Sequence, residues 1–195
     1  MTSYLLLVQA AAVILTAVSW VPQMYRVLVS PDRSGVSPAA WLIGVVLSGV
    51  WCIWALREGM WAFLLSEGSF MCGSLLILAL IRGWGRALLC TTAASVVAAG
   101  AVAVIPTSWF AAVGIVLAAA IRLSQLGRIV RGQTSAGVSG SVWLILIAAN
   151  TLWAVVGVVQ HQPALVIGAA VTLVASVAVW VACQLVPPAG APPAT

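Results

Sequence analysis

Long apolar runs recur from one end of the chain to the other, near residues 4–25, 38–57, 60–81, 87–105, 108–130, 139–159 and 163–186. Short breaks separate them: Ser30 to Gly35, Arg57-Glu58-Gly59, Arg82 to Arg86, Pro106-Thr107-Ser108, Arg131 to Gly137, and Gln160 to Pro163. All but the central break carry a charged or histidine side chain, as loops do. A bilayer core of about 30 Å takes roughly 20 apolar residues per helix, so the pattern predicts seven transmembrane helices joined by short loops. The small residues Gln9-Ala10-Ala11-Ala12 imitate a secretory cleavage site. With no basic residue ahead of it and an apolar run that continues to Pro22, this first segment reads as a retained helix.

Composition agrees with the pattern. Of 195 residues 64% are hydrophobic and 6% charged, the mean hydropathy is +1.19, and no water-soluble domain of this size has such values. The net charge is +5 and every basic residue is arginine. Arg26, Arg33, Arg82, Arg86, Arg128 and Arg131 flank the first, third and fifth loops, whereas Arg57 alone flanks the other side. This bias predicts those three loops in the cytoplasm, the N-terminus outside and the C-terminus inside, in the plasma membrane; it is a topology signal rather than a nucleic-acid-binding one. Arg26 and Arg128 read as topology anchors, with gate contacts a second role. The tail from Pro187 to Thr195 is too proline-rich for a helix and is expected to be disordered.

Cys52, Cys72, Cys90 and Cys183 lie in apolar runs without metal-ligand spacing, and read as small packing residues. His161 falls in a loop. With no phosphate-binding loop, no metal cluster and no nucleophile paired with a base, an enzyme is not expected, and no cofactor is implied. Trp61, Trp84, Trp109 and Trp180 fall near span ends, where indoles anchor at the membrane interface. Arg57 and Glu58 at the outer mouth read as a solvated loop, with an external gate the lesser alternative.

The chain repeats itself. An ungapped offset of 102 residues pairs Gln23 with Gln125, Arg26 with Arg128, Gly35-Val36-Ser37 with Gly137-Val138-Ser139, Trp41 with Trp143, and Trp51 with Trp153. Paired Trp, Gln, Arg and Gly at one offset indicate duplication. Two three-helix units share an orientation only if an extra helix carries the chain back, and residues 87–105, rich in Ala, Thr and Ser, fit that part. The expected organisation is a first repeat at 1–82, a linker helix at 83–107, a second repeat at 108–186 and a tail at 187–195, with parallel repeats and a pathway between them. Two repeats in one chain already enclose a pathway, so homo-oligomers are possible but not required.

Trp20-Val21-Pro22-Gln23, followed by Ser34-Gly35-Val36-Ser37-Pro38 and Trp41, resembles the PQ-loop motif of the SWEET and SemiSWEET superfamily. That resemblance covers essentially the whole chain. It implies a three-plus-one-plus-three helix order and a facilitative transporter, usually of sugars, whose prolines are hinges for alternating access. Pro22 bends its helix and frees a carbonyl, and Ser19 and Gln23 lie close enough to satisfy freed backbone groups. In the second repeat Ser124-Gln125 stands for Pro-Gln and Gly140 for the helix-opening proline Pro38. The hinge and gate set is therefore Pro22, Gln23, Pro38, Gln125 and Gly140.

At 1.5 Å per residue, Trp51 lies about 9 Å and Glu67 about 10 Å from the outer ends of their helices, a common depth. The resemblance implies a tryptophan on the second helix and an asparagine on the third helix of a repeat at the sugar site. Glu67 occupies that third-helix position here, and Ala169 its mate. Asn150 lies one helical turn from Trp153, and its repeat mate is Ser48. Ser48, Trp51, Glu67, Asn150 and Trp153 are thus the predicted substrate layer, with indoles to stack on sugar rings and polar groups for hydroxyls. A carboxylate in hydrocarbon costs at least a few kcal/mol, so Glu67 is expected to face the interior, be protonated or be paired. Its place makes proton-coupled movement of an amino acid or organic acid the alternative to sugar transport. A membrane receptor or assembly factor that binds without moving solutes is the alternative outside transport.

Overall fold

A computed structural model describes residues 3–30, 32–89, 91–92, 106–132 and 134–186. Its helices are α1 (Ser3–Val18), α2 (Val21–Val29), α3 (Pro38–Arg57), α4 (Trp61–Arg82), α5 (Thr107–Gly132), α6 (Gly140–Val159) and α7 (Pro163–Leu185). Residues 84–89 and 91–92 are helical too. There is no strand among the described residues. Among the described residues six apolar spans are long enough to cross a bilayer, the first being Ser3–Val29, in which α1 and α2 run on with an interruption. The expected linker helix at 87–105 lies mostly outside the described residues, as does the tail at 187–195. Where the linker is described, Ala87 is buried in the same apolar cluster as Leu78.

The interruption between α1 and α2 has a local cause. Pro22 cannot donate to the carbonyl one turn back, and it sits in the first turn of α2, where a missing N–H costs nothing. Pro22 therefore opens a second helix that reaches Val29, beyond the predicted end of the span near 25. The Ser19 hydroxyl donates to the Thr16 carbonyl at 2.8 Å, satisfying part of the broken turn. In the second repeat Ser124 keeps its backbone N–H, and α5 is unbroken from Thr107 to Gly132. Only the first repeat is interrupted. Each repeat's middle helix starts alike, after an extended Ser37 or Ser139; Ser37 Oγ accepts from Ala40 N at 3.2 Å, with Pro38 as the first helical residue.

The duplication extends to the turn at the opposite end. α3 ends with Gly59 in the left-handed region, φ +68°, and Met60 N donates to Ala55 O at 2.8 Å, a Schellman closure. α6 ends the same way, with Gln162 N on Gly157 O at 2.8 Å and His161 at φ +56°. The single histidine, exposed, thus holds the place that glycine holds in the first repeat.

The spans close into a ring. α4 packs between α1 and α3, α7 packs between α5 and α6, and the repeats meet along two seams, α1 with α6 and α3 with α5. This arrangement has pseudo-twofold symmetry about an axis along the bundle, as two parallel repeats require. Side chains such as Leu65, Val116 and Val174, each more than 65% exposed, face outward where acyl chains would lie. Inside are two apolar clusters. One surrounds Trp51, Trp54, Phe63 and Trp153 toward the Gly59 and His161 turns; the other surrounds Trp41, Trp143, Ile77 and Ile129 toward the arginine-bearing loops.

A non-glycine residue in the left-handed conformation costs about 1 kcal/mol or more relative to glycine. His161→Gly is therefore expected to stabilise the purified protein by about 1 kcal/mol, and Gly59→Val to destabilise it by at least as much, both read by thermal unfolding in detergent.

Candidate functional site

Between the two apolar clusters lies a central cavity of about 50 Å³, lined from all six spans. Thr16 comes from α1, Trp51 from α3, Glu67 from α4, Arg122 from α5, Asn150 and Trp153 from α6, and Ala169 from α7. A buried water needs some 10–15 Å³ of such space, so the cavity has room for a few waters. The predicted layer comes together here, with one change of part. Ser48 is fully buried behind Glu67, donating its hydroxyl to Glu67 Oε2 at 3.0 Å. It orients the carboxylate rather than lining the cavity.

The indoles are committed to protein contacts. Trp51 meets Trp54 and Phe63 edge-on, with centroids 5.4 and 5.7 Å apart, and its ring lies against Gly114 of α5 and Gly168 of α7. A Cβ on Gly114 would sit 2.8 Å from that ring. Phe63 meets Trp153 edge-on at 4.8 Å, and Trp153 Nε1 donates to Thr16 Oγ1 at 3.0 Å. Aromatic rings from both repeats thus close the cavity toward the end that carries Arg57 and Glu58. Asn150 Nδ2 donates to its own helix at Leu146 O, 2.6 Å away.

Sequence reasoning missed Arg122. It is 5% exposed, its Nη1 donates to Ala118 O at 3.1 Å, and its Nε has no hydrogen-bond partner. The signal was available: an arginine well inside an apolar run, where charge is rare and functional. Its repeat mate is Trp20, so the internal alignment gave no paired residue to mark it. Arg122 and Glu67 are the charged side chains that line the cavity.

Toward the arginine-bearing loops the route narrows between Trp41 and Trp143 to a space of about 20 Å³, bounded also by Arg122 and Gln125. Beyond it the two repeats are clasped. Gln23 Nε2 donates to Gly137 O at 2.8 Å, and Gln23 Oε1 accepts from Ser139 N at 2.8 Å. Gln125 Nε2 donates to Gly35 O at 2.7 Å, and Gln125 Oε1 accepts from Ser37 N at 3.0 Å. Each glutamine reads the other repeat's loop, and Gln23 does so rather than satisfying the broken turn before its own helix, so the expectation for Gln23 is corrected while that for Ser19 holds. The loops also touch directly: Gly35 N donates to Ala136 O at 3.1 Å, and Arg128 Nε donates to Ser34 O at 2.7 Å, which gives Arg128 a cross-repeat contact. A Cβ on Gly35 would lie 2.7 Å from Ala136 O. Asp32 Oδ1 accepts from Ser34 N at 2.9 Å, and this backbone donor holds the exposed carboxyl below the usual carboxylate range.

Of the remaining hinge residues, Pro38 starts α3 and Gly140 starts α6, where a Cβ would meet only Gln184 Nε2 at 3.7 Å. Arg57 and Glu58 are exposed. Trp61, Trp84 and Trp109 are more than half exposed at span ends.

No protein-family model matches this chain, and no curated protein matches it in sequence. Among solved structures it is similar to that of a eukaryotic SWEET transporter, with a TM-score of 0.66 over 93% of this chain and 95% of that chain, at 13% identity. That likeness shows a SWEET-like membrane fold.

Removing either clasp glutamine leaves a buried N–H and carbonyl unpaired, a loss of about 1–3 kcal/mol each. Gln23→Ala and Gln125→Ala are each expected to lower the unfolding midpoint. In a cysteine-free background each is also expected to speed maleimide labelling of Leu146→Cys, buried where the narrow space between Trp41 and Trp143 meets the central cavity, by about tenfold or more. Unchanged labelling in both would show that the clasp does not seal this end.

Proposed function

We propose that this chain is a transporter that carries a small polar solute across the membrane by alternating access. The observation that carries the reading is a cavity between two repeats, with contacts that join the repeats on either side of it along the bundle. Each closure joins one repeat to the other, so a rocking of the two repeats against each other about the level of the cavity releases one closure while the other holds. The glutamine clasp is the gate at the arginine-bearing end, assigned to the cytoplasm of a plasma-membrane protein; the rings of Trp51, Phe63 and Trp153 are the outer gate. The break at Ser19–Trp20 gives the first repeat a bending point that α5 lacks, so hinging is concentrated in the first repeat. The boundaries 1–82, 83–107 and 108–186 divide the two moving units from their tether.

The PQ-loop resemblance supports a mono- or disaccharide as cargo, with Trp51, Trp153 and Asn150 as its contacts. The fold likeness to a SWEET transporter agrees with it. A second reading, movement of an amino acid or organic acid with Glu67 exchanging a proton, is favoured by a carboxylate that lines the cavity on a Ser48 hydrogen bond.

Counterflow of labelled sugars, amino acids and organic acids into proteoliposomes tests transport. Saturable exchange of at least one solute is expected, reduced about tenfold or more in Trp51→Ala, which opens the outer closure and unbinds Gly114 and Gly168. Binding of a solute without exchange, in protein that is folded and inserted, would replace the transporter with a receptor. Uptake driven by a proton gradient in wild type, and not in Glu67→Gln, would select the proton-linked reading.

A further inference from the structure

The cavity contains one basic and one acidic side chain, and they come from different repeats. Glu67 on α4 belongs to the first repeat and Arg122 on α5 to the second. Their hydrogen bonds lead away from one another, Glu67 to Ser48 and Arg122 to Ala118. That leaves the Nε–H of a guanidinium, 95% buried, without a partner beside a cavity that has room for a few atoms. A buried donor on a cation without an acceptor is costly, and an arginine fork matches a carboxylate better than any other small group.

Charge balance selects the rest of the ligand. With Glu67 and Arg122 both ionised the cavity is neutral. A simple anion on Arg122 leaves Glu67 uncompensated in hydrocarbon, and a simple cation on Glu67 leaves Arg122 so. A neutral polyol offers hydroxyls but no countercharge to either. A zwitterion, with its carboxylate and ammonium separated by one carbon, compensates both at once and keeps the site neutral when it is occupied. The polar neighbours Thr16, Asn150 and Thr172 add neutral hydrogen-bonding groups, and no other charged side chain lines the cavity among the described residues.

We infer that the central cavity is a site for a small zwitterionic α-amino acid, with Arg122 holding the carboxylate and Glu67, fixed by Ser48, holding the ammonium. Binding stands independently of the transporter reading; only movement of the bound amino acid across the membrane rests on it. Because the two charges lie on opposite repeats, the bound ligand ties the repeats together across the pathway, which couples occupancy to their relative position. A sugar preference would have no use for either charge.

The test measures equilibrium binding of labelled glycine, alanine and serine to the full chain in detergent, and counterflow of the same solutes in proteoliposomes. Ethylamine, propionate and glucose serve as competitors. At least one of the three amino acids is expected to bind saturably, with each competitor weaker by about 100-fold or more. Arg122→Gln is expected to weaken amino-acid binding by about 100-fold or more, Arg122→Lys to recover part of it, and Glu67→Gln to shift preference toward propionate. A merely structural charge pair would not exchange ligand preference in this way. Should a single variant fail to fold, Arg122→Gln combined with Glu67→Gln keeps the cavity neutral and is expected to fold without binding amino acids. Wild-type binding in that double variant, or no amino-acid binding by the native chain, would overturn the inference. Glucose counterflow indifferent to Arg122→Gln would overturn it while leaving transport standing; amino-acid binding without counterflow would support it while removing transport.

Discussion

Two glutamine amides hold the halves of this molecule together at one end. The loops before α3 and α6 must turn sharply at the membrane surface, and that leaves the carbonyls of Gly35 and Gly137 and the N–H groups of Ser37 and Ser139 outside any helix. Gln23 and Gln125 satisfy all four, each across the seam and each with both ends of its amide. An amide is the side chain suited to this, being donor and acceptor at a fixed separation. Because these four groups, two in each repeat's loop, are satisfied by the other repeat, the two units are interdependent. Separating them exposes four backbone groups, which are tolerated in water at the membrane surface but not within the bilayer. That contrast lets the clasp serve as a closure at the surface and nowhere deeper.

The rest of the interior reflects a similar division between dry and polar levels. Aromatic and branched residues fill the bundle above and below the cavity, and the charged groups are confined to the level between. Edge-on packing among Trp51, Trp54, Phe63 and Trp153 shuts one side with contacts that cost little to slide and reform. The two repeats are not equivalent at this level. The first supplies a carboxylate and a broken helix; the second supplies an arginine and a continuous one. Duplication therefore produced a symmetric frame and an asymmetric site, which is what a ligand without twofold symmetry requires.

Much of this was legible along the chain. The spans were, because hydrocarbon demands some twenty apolar residues and punishes charge, so α3 falls on the predicted 38–57 residue for residue. The repeat was, because Trp, Gln, Gly and Arg recur at a single spacing, and that spacing even pairs Gly59 with His161 at equivalent turns. Trp51 and Glu67 were predictable as neighbours from their common depth and from the PQ-loop resemblance, Trp153 from the repeat spacing and Asn150 from its place one helical turn from Trp153. Ser48 was found, but its direction was not, because depth does not say whether a side chain points at the cavity or at its neighbour.

What the sequence determined by itself was the membrane, the spans, the duplication and the depth of the polar level, all of which depend on hydropathy and spacing along one dimension. What only the tertiary structure decided was partnership. That Gln23 bonds the loop at 137–139 instead of its own broken turn, that Ser48 supports Glu67, and that Arg122 shares a cavity with Glu67 are facts about pairs distant in the chain. The physical reason is that every buried polar group must find a partner, while its sequence neighbours fix only which partners are within reach of the same helix. Closing six spans into a ring with two seams chose among the others.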